Sequence, residues 1–214
     1  ASLAGADNLI DAFIHGADIH AKTASDIFGV PIDKVDKNMR RTAKAVNFGI
    51  LYGISSFGLS EDLGIDIISA KSFIDSYLNT YPKIKQYMNE VIQDAKEKGY
   101  VKTIMNRKRV IDELNNKNYM IRQQGERIAL NTPVQGSSAD ILKKAMIDIQ
   151  KEFDDRNLKS KMLIQVHDEL VFNVLNDELD IVKEIVERIM ENTYQLNVPL
   201  KVDIEVGNDW YEAK

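Results

Sequence analysis

The stretch Arg40-Arg41-Thr42-Ala43-Lys44-Ala45-Val46-Asn47-Phe48-Gly49-Ile50-Leu51-Tyr52-Gly53 decides how this chain is read. Arg40, Lys44, Phe48 and Tyr52 recur every four residues. On a helix, i and i+4 side chains lie close together on one face. The stripe therefore carries two cations, then two aromatics, and stops at Gly53. Cations suit a triphosphate, and a flat ring suits a base or sugar. A helix presenting both can grip a nucleotide lengthwise, tail on the cations and base on the ring. The same spacing also fits a helix that buries Phe48 and Tyr52 and leaves the cations in water.

Outward from that stretch, helical periodicity dominates the first 160 or so residues. It predicts helices over Asp7–Phe13, Asp18–Phe28, Asp33–Tyr52, Asp66–Thr80, Lys83–Lys98, Tyr119–Leu130 and Ser138–Phe153. Gly29, Pro31, Gly53, Pro82 and Gly99 punctuate them. Val101–Ile111 reads as strand, basic turn, strand. The last quarter changes character. Met162–Val166 and Leu170–Val174 are strand-like runs, Asp177–Tyr194 is helical, and Leu200–Val206 alternates as a strand. The expected class is α+β, a helical layer followed by an antiparallel sheet with packed helices.

Two further segments carry candidate chemistry. Asn131-Thr132-Pro133-Val134-Gln135-Gly136-Ser137-Ser138-Ala139-Asp140 reads as a loop feeding a helix, with Ser137 or Ser138 as its cap. Its amides, Asn131 and Gln135, suit the acceptors that every base pair shows in the minor groove. An ordinary capped loop fits the segment as well. His167-Asp168-Glu169 lies between two apolar strands. Carboxylates on such a hairpin are held rigidly and outward, which suits a magnesium ligand in phosphoryl transfer. A polar turn also favours Asp.

Bulk composition narrows the classes. The 214 residues are 44% hydrophobic and 29% charged, and no apolar run reaches a membrane span. There is no signal-peptide pattern at Ala1-Ser2-Leu3-Ala4-Gly5. With no cysteine and three histidines (His15, His20, His167), disulfides and thiolate zinc sites are excluded. Any divalent metal would be oxygen-bound, magnesium or manganese rather than zinc. The net charge of −5 argues weakly against a nucleic-acid partner, but its distribution does not. Lys34–Gly53 holds five basic residues against Asp36 alone, and Lys96–Arg127 holds nine against four, centred on Arg107-Lys108-Arg109.

Taken together, the segments resemble the ordered motifs of family A DNA polymerases. Arg40–Gly53 is similar to motif B. Glu126-Arg127 through Asn131, Pro133, Gln135-Gly136 and Ala139-Asp140 resembles the next signature. Gln165-Val166-His167-Asp168-Glu169 resembles motif C, and Val198–Val202 through Trp210 resembles the ending of the bacterial, polymerase I-type members. The resemblance runs the length of the chain. It implies a partial right-hand polymerase: a palm–fingers junction at 1–30, fingers at 31–130 and palm at 131–214. It also implies a monomeric, cytoplasmic, nucleoid-associated parent enzyme.

The resemblance assigns roles as well. Arg40 and Lys44 would hold the triphosphate, with His20 assisting and Lys44 acting in catalysis. Phe48 would pack on the incoming dNTP and disfavour dideoxynucleotides. Tyr52 and Gly53 would meet the template base. Arg127, Asn131 and Gln135 would contact template–primer DNA, and His167 the primer end. Asp168 would bind the catalytic Mg2+ ions (Mn2+ is the alternative), with Glu169 beside it. Arg107 and Arg109 match a basic turn near the primer, although Val110-Ile111-Asp112 departs from the aromatic and proline that usually follow. Phe48 and Glu169 oppose a single-subunit RNA polymerase. The family's motif A, roughly Asp-Tyr-Ser-Gln-Ile-Glu-Leu-Arg, occurs nowhere in these residues. The expectation is a fragment without motif A, thumb or exonuclease domains, inactive alone; the alternative is a non-catalytic, DNA-binding truncated product.

Overall fold

The computed structural model describes residues 1–213. They form two compact units, Ala1–Ser137 and Ser138 onward. Eight α-helices and two antiparallel two-stranded sheets make up the regular structure among the described residues, an α+β architecture. No helix there is long and apolar enough to cross a membrane.

The first unit opens with α1 (Asp7–Ile14) and α2 (Ile19–Phe28). Asp18 caps α2 by accepting from the His20 and Ala21 amides, and Gly29 ends it at φ +64. The helix expected from Asp33 starts later, as α3 (Lys37–Leu51). Asp36 supplies the cap, accepting from the Met39 amide, and Ile32–Lys34 forms a separate 3-10 turn. Next come α4 (Ser56–Leu63), α5 (Ile67–Thr80) and α6 (Pro82–Lys98). α4 was not predicted. Its signals are the Ser55 cap, which accepts from the Gly58 amide, and Gly64 at φ +65. Val46, Ile50, Leu59, Tyr77 and Ile84 from these helices share one core with Tyr81, which lies between α5 and α6.

The expected hairpin is present as β1 (Tyr100–Lys102) and β2 (Lys108–Val110), with Val101 opposite Arg109. Beyond it the structure overturns the expectation of a loop over Asn131–Asp140. One helix, α7, runs from Tyr119 to Asp155 through Pro133. A proline there removes the amide that would bond the carbonyl four residues back. Side chains stitch the turn: Thr132 Oγ1 donates to the Ile128 carbonyl at 2.7 Å, and Ser137 Oγ donates to the Pro133 carbonyl. Ser137 is therefore no N-cap; its hydroxyl also accepts from the Ile104 amide at 3.0 Å. Burial of Ala129, Leu130, Pro133 and Ser137 outweighs the local preference for a break.

In the second unit, α7 continues against α8 (Leu179–Asn192), and Ile149, Phe153, Val182 and Ile185 form the core. β3 (Lys161–Val166) and β4 (Glu169–Asn173) pair antiparallel, with an irregularity between Met162 and Ile164. The strand expected over Leu200–Val206 is not formed. Among the described residues no strand pairs with that segment, and the Val202 amide bonds the Glu191 carboxylate instead, at 3.3 Å.

Candidate nucleotide face and carboxylate hairpin

The helix α3 settles which way its stripe points. Val46, Asn47 and Ile50 are buried, while Phe48 and Tyr52 remain 43% and 44% exposed. The aromatics are therefore not core residues. Their rings lie nearly parallel, with centroids 6.4 Å apart and planes 13° apart. Lys44 Nζ is 6.0 Å from the Phe48 ring, and the His20 ring is 5.7 Å from it. Arg40 is held by Asp18, with Nε 2.6 Å from Oδ2. Cations and rings thus follow one another along a single exposed face.

The charges along this face act on the titratable groups beside it. Asp18 is held below the usual carboxylate range, first by the hydrogen bond from Arg40. Burial, then the nearby Arg40 and Lys44 charges, push the His20 pKa below 6.5, opposed by Asp18. An imidazole so placed is mostly neutral at pH 7.

Beside the rings is a cavity of about 760 Å³, lined by Arg41, Lys44, Phe48, Tyr52, Arg127 and Asn131 among others. Arg127 Nε donates to the Gly53 carbonyl at 3.1 Å, tying the end of α3 to α7. Gly53 sits at φ +68, and a Cβ there would meet Arg127 Cγ at 3.2 Å, so the close approach requires glycine. Asn131 Oδ1 is buried without a hydrogen-bond partner. Gln135 is exposed on the same helix. On the β1–β2 hairpin, Arg107 and Arg109 are exposed, and Arg109 Nη1 is 3.3 Å from Thr132 Oγ1. The structure therefore brings Lys44, Phe48, Tyr52, Arg127 and Asn131 to one cavity, and sets His20 against Asn47 and Phe48 of α3.

Sequence reading missed Arg41 and Asp62 at this cavity, as well as Asp18 and Asn47. Asp18 carried a signal, an acidic cap before α2. Asp62 carried none, because only the packing of α4 brings it there.

The second unit carries His167, Asp168 and Glu169, all exposed. His167 and Asp168 form a tight turn, and Glu169 begins β4 opposite Val166. His167 lies at φ +53, as a two-residue hairpin turn requires, and Gln165 Nε2 bonds its carbonyl at 2.6 Å. Two adjacent carboxylates suit a hard, oxygen-bound cation. Among the described residues no group of three or more His, Asp or Glu is gathered to hold a metal.

Comparison with known proteins assigns the family. The family model described as DNA polymerase family A matches residues 1–212. The chain belongs to that family. DNA polymerase I of Bacillus subtilis is 52% identical over 208 residues, covering 97% of this chain and 24% of the relative. DNA polymerase I of Lactococcus lactis subsp. lactis is 50% identical, covering 100% and 24%. The POL domain of Pol1 from M. smegmatis, solved in complex with DNA primer-template and dNTP, superposes with a TM-score of 0.94 at 40% identity. It is matched over 100% of this chain and 38% of its own. The chain thus spans about a quarter of the length of the curated relatives it matches.

Proposed function

We propose that these residues are the nucleotide-selecting and primer-gripping part of a DNA-directed DNA polymerase, which adds dNTPs to a primer 3′-hydroxyl. The observation that carries this reading is the α3 face, two cations leading to two exposed parallel rings. In this reading residues 31–130 act as fingers and 131–214 as palm. Arg40 exchanges Asp18 for a phosphate, Lys44 neutralises charge on the triphosphate, and Phe48 packs on sugar and base. Tyr52 and Gly53 border the template base. Asn131, with its open acceptor, joins Arg127 and Gln135 at the duplex, and Arg107 and Arg109 meet the primer backbone. His167 lies at the primer end.

Asp168, with Glu169 beside it, would hold divalent metal, Mg2+ by preference. When bound, the metal supplies activation of the primer hydroxyl and charge stabilisation at the leaving pyrophosphate. The protein's own work is positioning and neutralisation, since phosphoryl transfer asks little covalent chemistry of it. Because motif A is absent from these residues, the 214-residue polypeptide is expected to bind but not to extend. The parent enzyme would be a monomer acting in the cytoplasm.

The test is binding and extension by the purified chain. dATP affinity is expected to fall about tenfold in Lys44→Ala, the loss of one charge-assisted contact. Template–primer affinity should fall steeply with salt, by close to one log unit per log salt for each phosphate neutralised. Salt-independent DNA binding would contradict the phosphate contacts. Magnesium-dependent primer extension abolished by Asp168→Ala would overturn the expected inactivity.

A further inference from the structure

The nucleotide face uses Arg40, Lys44, Phe48 and Tyr52, but Asn47 points the other way. It is 6% exposed, and Thr23 on α2 is 0% exposed. Buried polar side chains must find partners, and these two find each other. Thr23 Oγ1 donates to Asn47 Oδ1 and accepts from Asn47 Nδ2, both at 3.2 Å. The second amide hydrogen of Asn47 faces His20 Nδ1 at 3.1 Å. This orientation of the amide uses both of its hydrogens. The reverse would direct only one hydrogen at this pair and strand the other in a buried place, where an unpaired donor is costly.

A neutral imidazole donates from one ring nitrogen and accepts at the other. An Nδ1 that faces an N–H must carry the lone pair, so the ring proton sits on Nε2. We propose that Asn47 is a positioning residue that, with Thr23, fixes His20 as the neutral Nε2–H tautomer. His20 then offers a hydrogen-bond donor, not a third cation, beside Arg40 and Lys44. The consequence for binding rests on the triphosphate reading of α3. The surroundings agree: burial first, then the Arg40 and Lys44 charges from α3, oppose protonation of the ring, and Asp18 at the start of α2 opposes them. A donor of this kind contacts phosphate without adding a charge that titrates near neutral pH.

The test reads the tautomer directly, by long-range proton–nitrogen NMR of the histidine rings in the 214-residue chain. At pH 7.5 His20 is expected to show an unprotonated Nδ1 and a protonated Nε2. Asn47→Asp replaces the facing donor by an acceptor. It should move the proton to Nδ1 or yield the doubly protonated ring, with a higher titration midpoint. A protonated Nδ1 in the wild type, or an unchanged ring pattern in a folded Asn47→Asp, overturns the proposal. A second arm does not depend on that variant folding. His20→Gln, a neutral donor, should keep dATP affinity within about threefold of wild type from pH 6 to 8, whereas His20→Ala should lose about tenfold. Equal losses in the two variants overturn the proposal. If the wild type binds no dATP while the ring pattern holds and reverses in Asn47→Asp, the nucleotide reading fails and the tautomer assignment stands.

Discussion

Asp18 shows how one side chain can serve fold and site together. It caps α2 through two backbone amides and also holds Arg40 in place. The ion pair is exposed, so its own contribution to stability is small; the cap contributes about 1 kcal/mol. Asp18→Ala is expected to lower stability by about that amount in denaturant unfolding, while Asp18→Asn, which still caps, should cost less. The carboxyl is held below its ordinary value of 3.8. A depressed acid stabilises the fold above its unfolded value and loses that contribution as pH falls through the lower, folded one. The gap in unfolding midpoint between wild type and Asp18→Asn should therefore be full at pH 7 and shrink below about pH 4. Of the site residues, Arg40, Lys44, Phe48 and Tyr52 were legible because their spacing of four matches the helix period. Asn47 was not, since nothing in its own neighbourhood names His20 and Thr23 as partners.

Among the elements, α7 separates local preference from packing. Pro133, Gly136 and two serines read as a loop, yet the segment is helical, with Pro133 and Ser137 buried. Two contacts should prove sensitive. Ser137→Ala leaves the Ile104 amide unpaired and is expected to cost about 1–3 kcal/mol. At Gly125 an added Cβ would stand 2.9 Å from the Leu114 backbone nitrogen. Backbone cannot step aside as a side-chain end can, so Gly125→Ala should cost about 1–3 kcal/mol in the same assay. A change under about 0.5 kcal/mol would show that the 3-10 turn Asp112–Asn115 is free to shift away from α7. The missed α4 and the unformed strand at Leu200–Val206 follow the same logic. A short helix depends on its caps and neighbours, and a strand requires a partner ladder.

For the whole molecule, the two units carry separate cores, one around Val46, Leu59 and Tyr81 and another around Ile149, Phe153 and Ile185. Phe153 is 1% exposed. Phe153→Ala is expected to cost about 3–5 kcal/mol, and hydrogen exchange should show protection lost chiefly after Ser138. Equal loss in α2–α6 would mean the units unfold as one. The sequence by itself determined the family, the α+β class, most helices and the order of the motifs. These are written in period, cap and spacing, all of which act over a few residues. Only the tertiary structure decided that Phe48 and Tyr52 face outward, that helix persists through Pro133, that Asn131 keeps a buried open acceptor, and that Asn47 holds His20. Each of these depends on burial and on partners tens of residues away, and burial sets what a polar group or a proline costs.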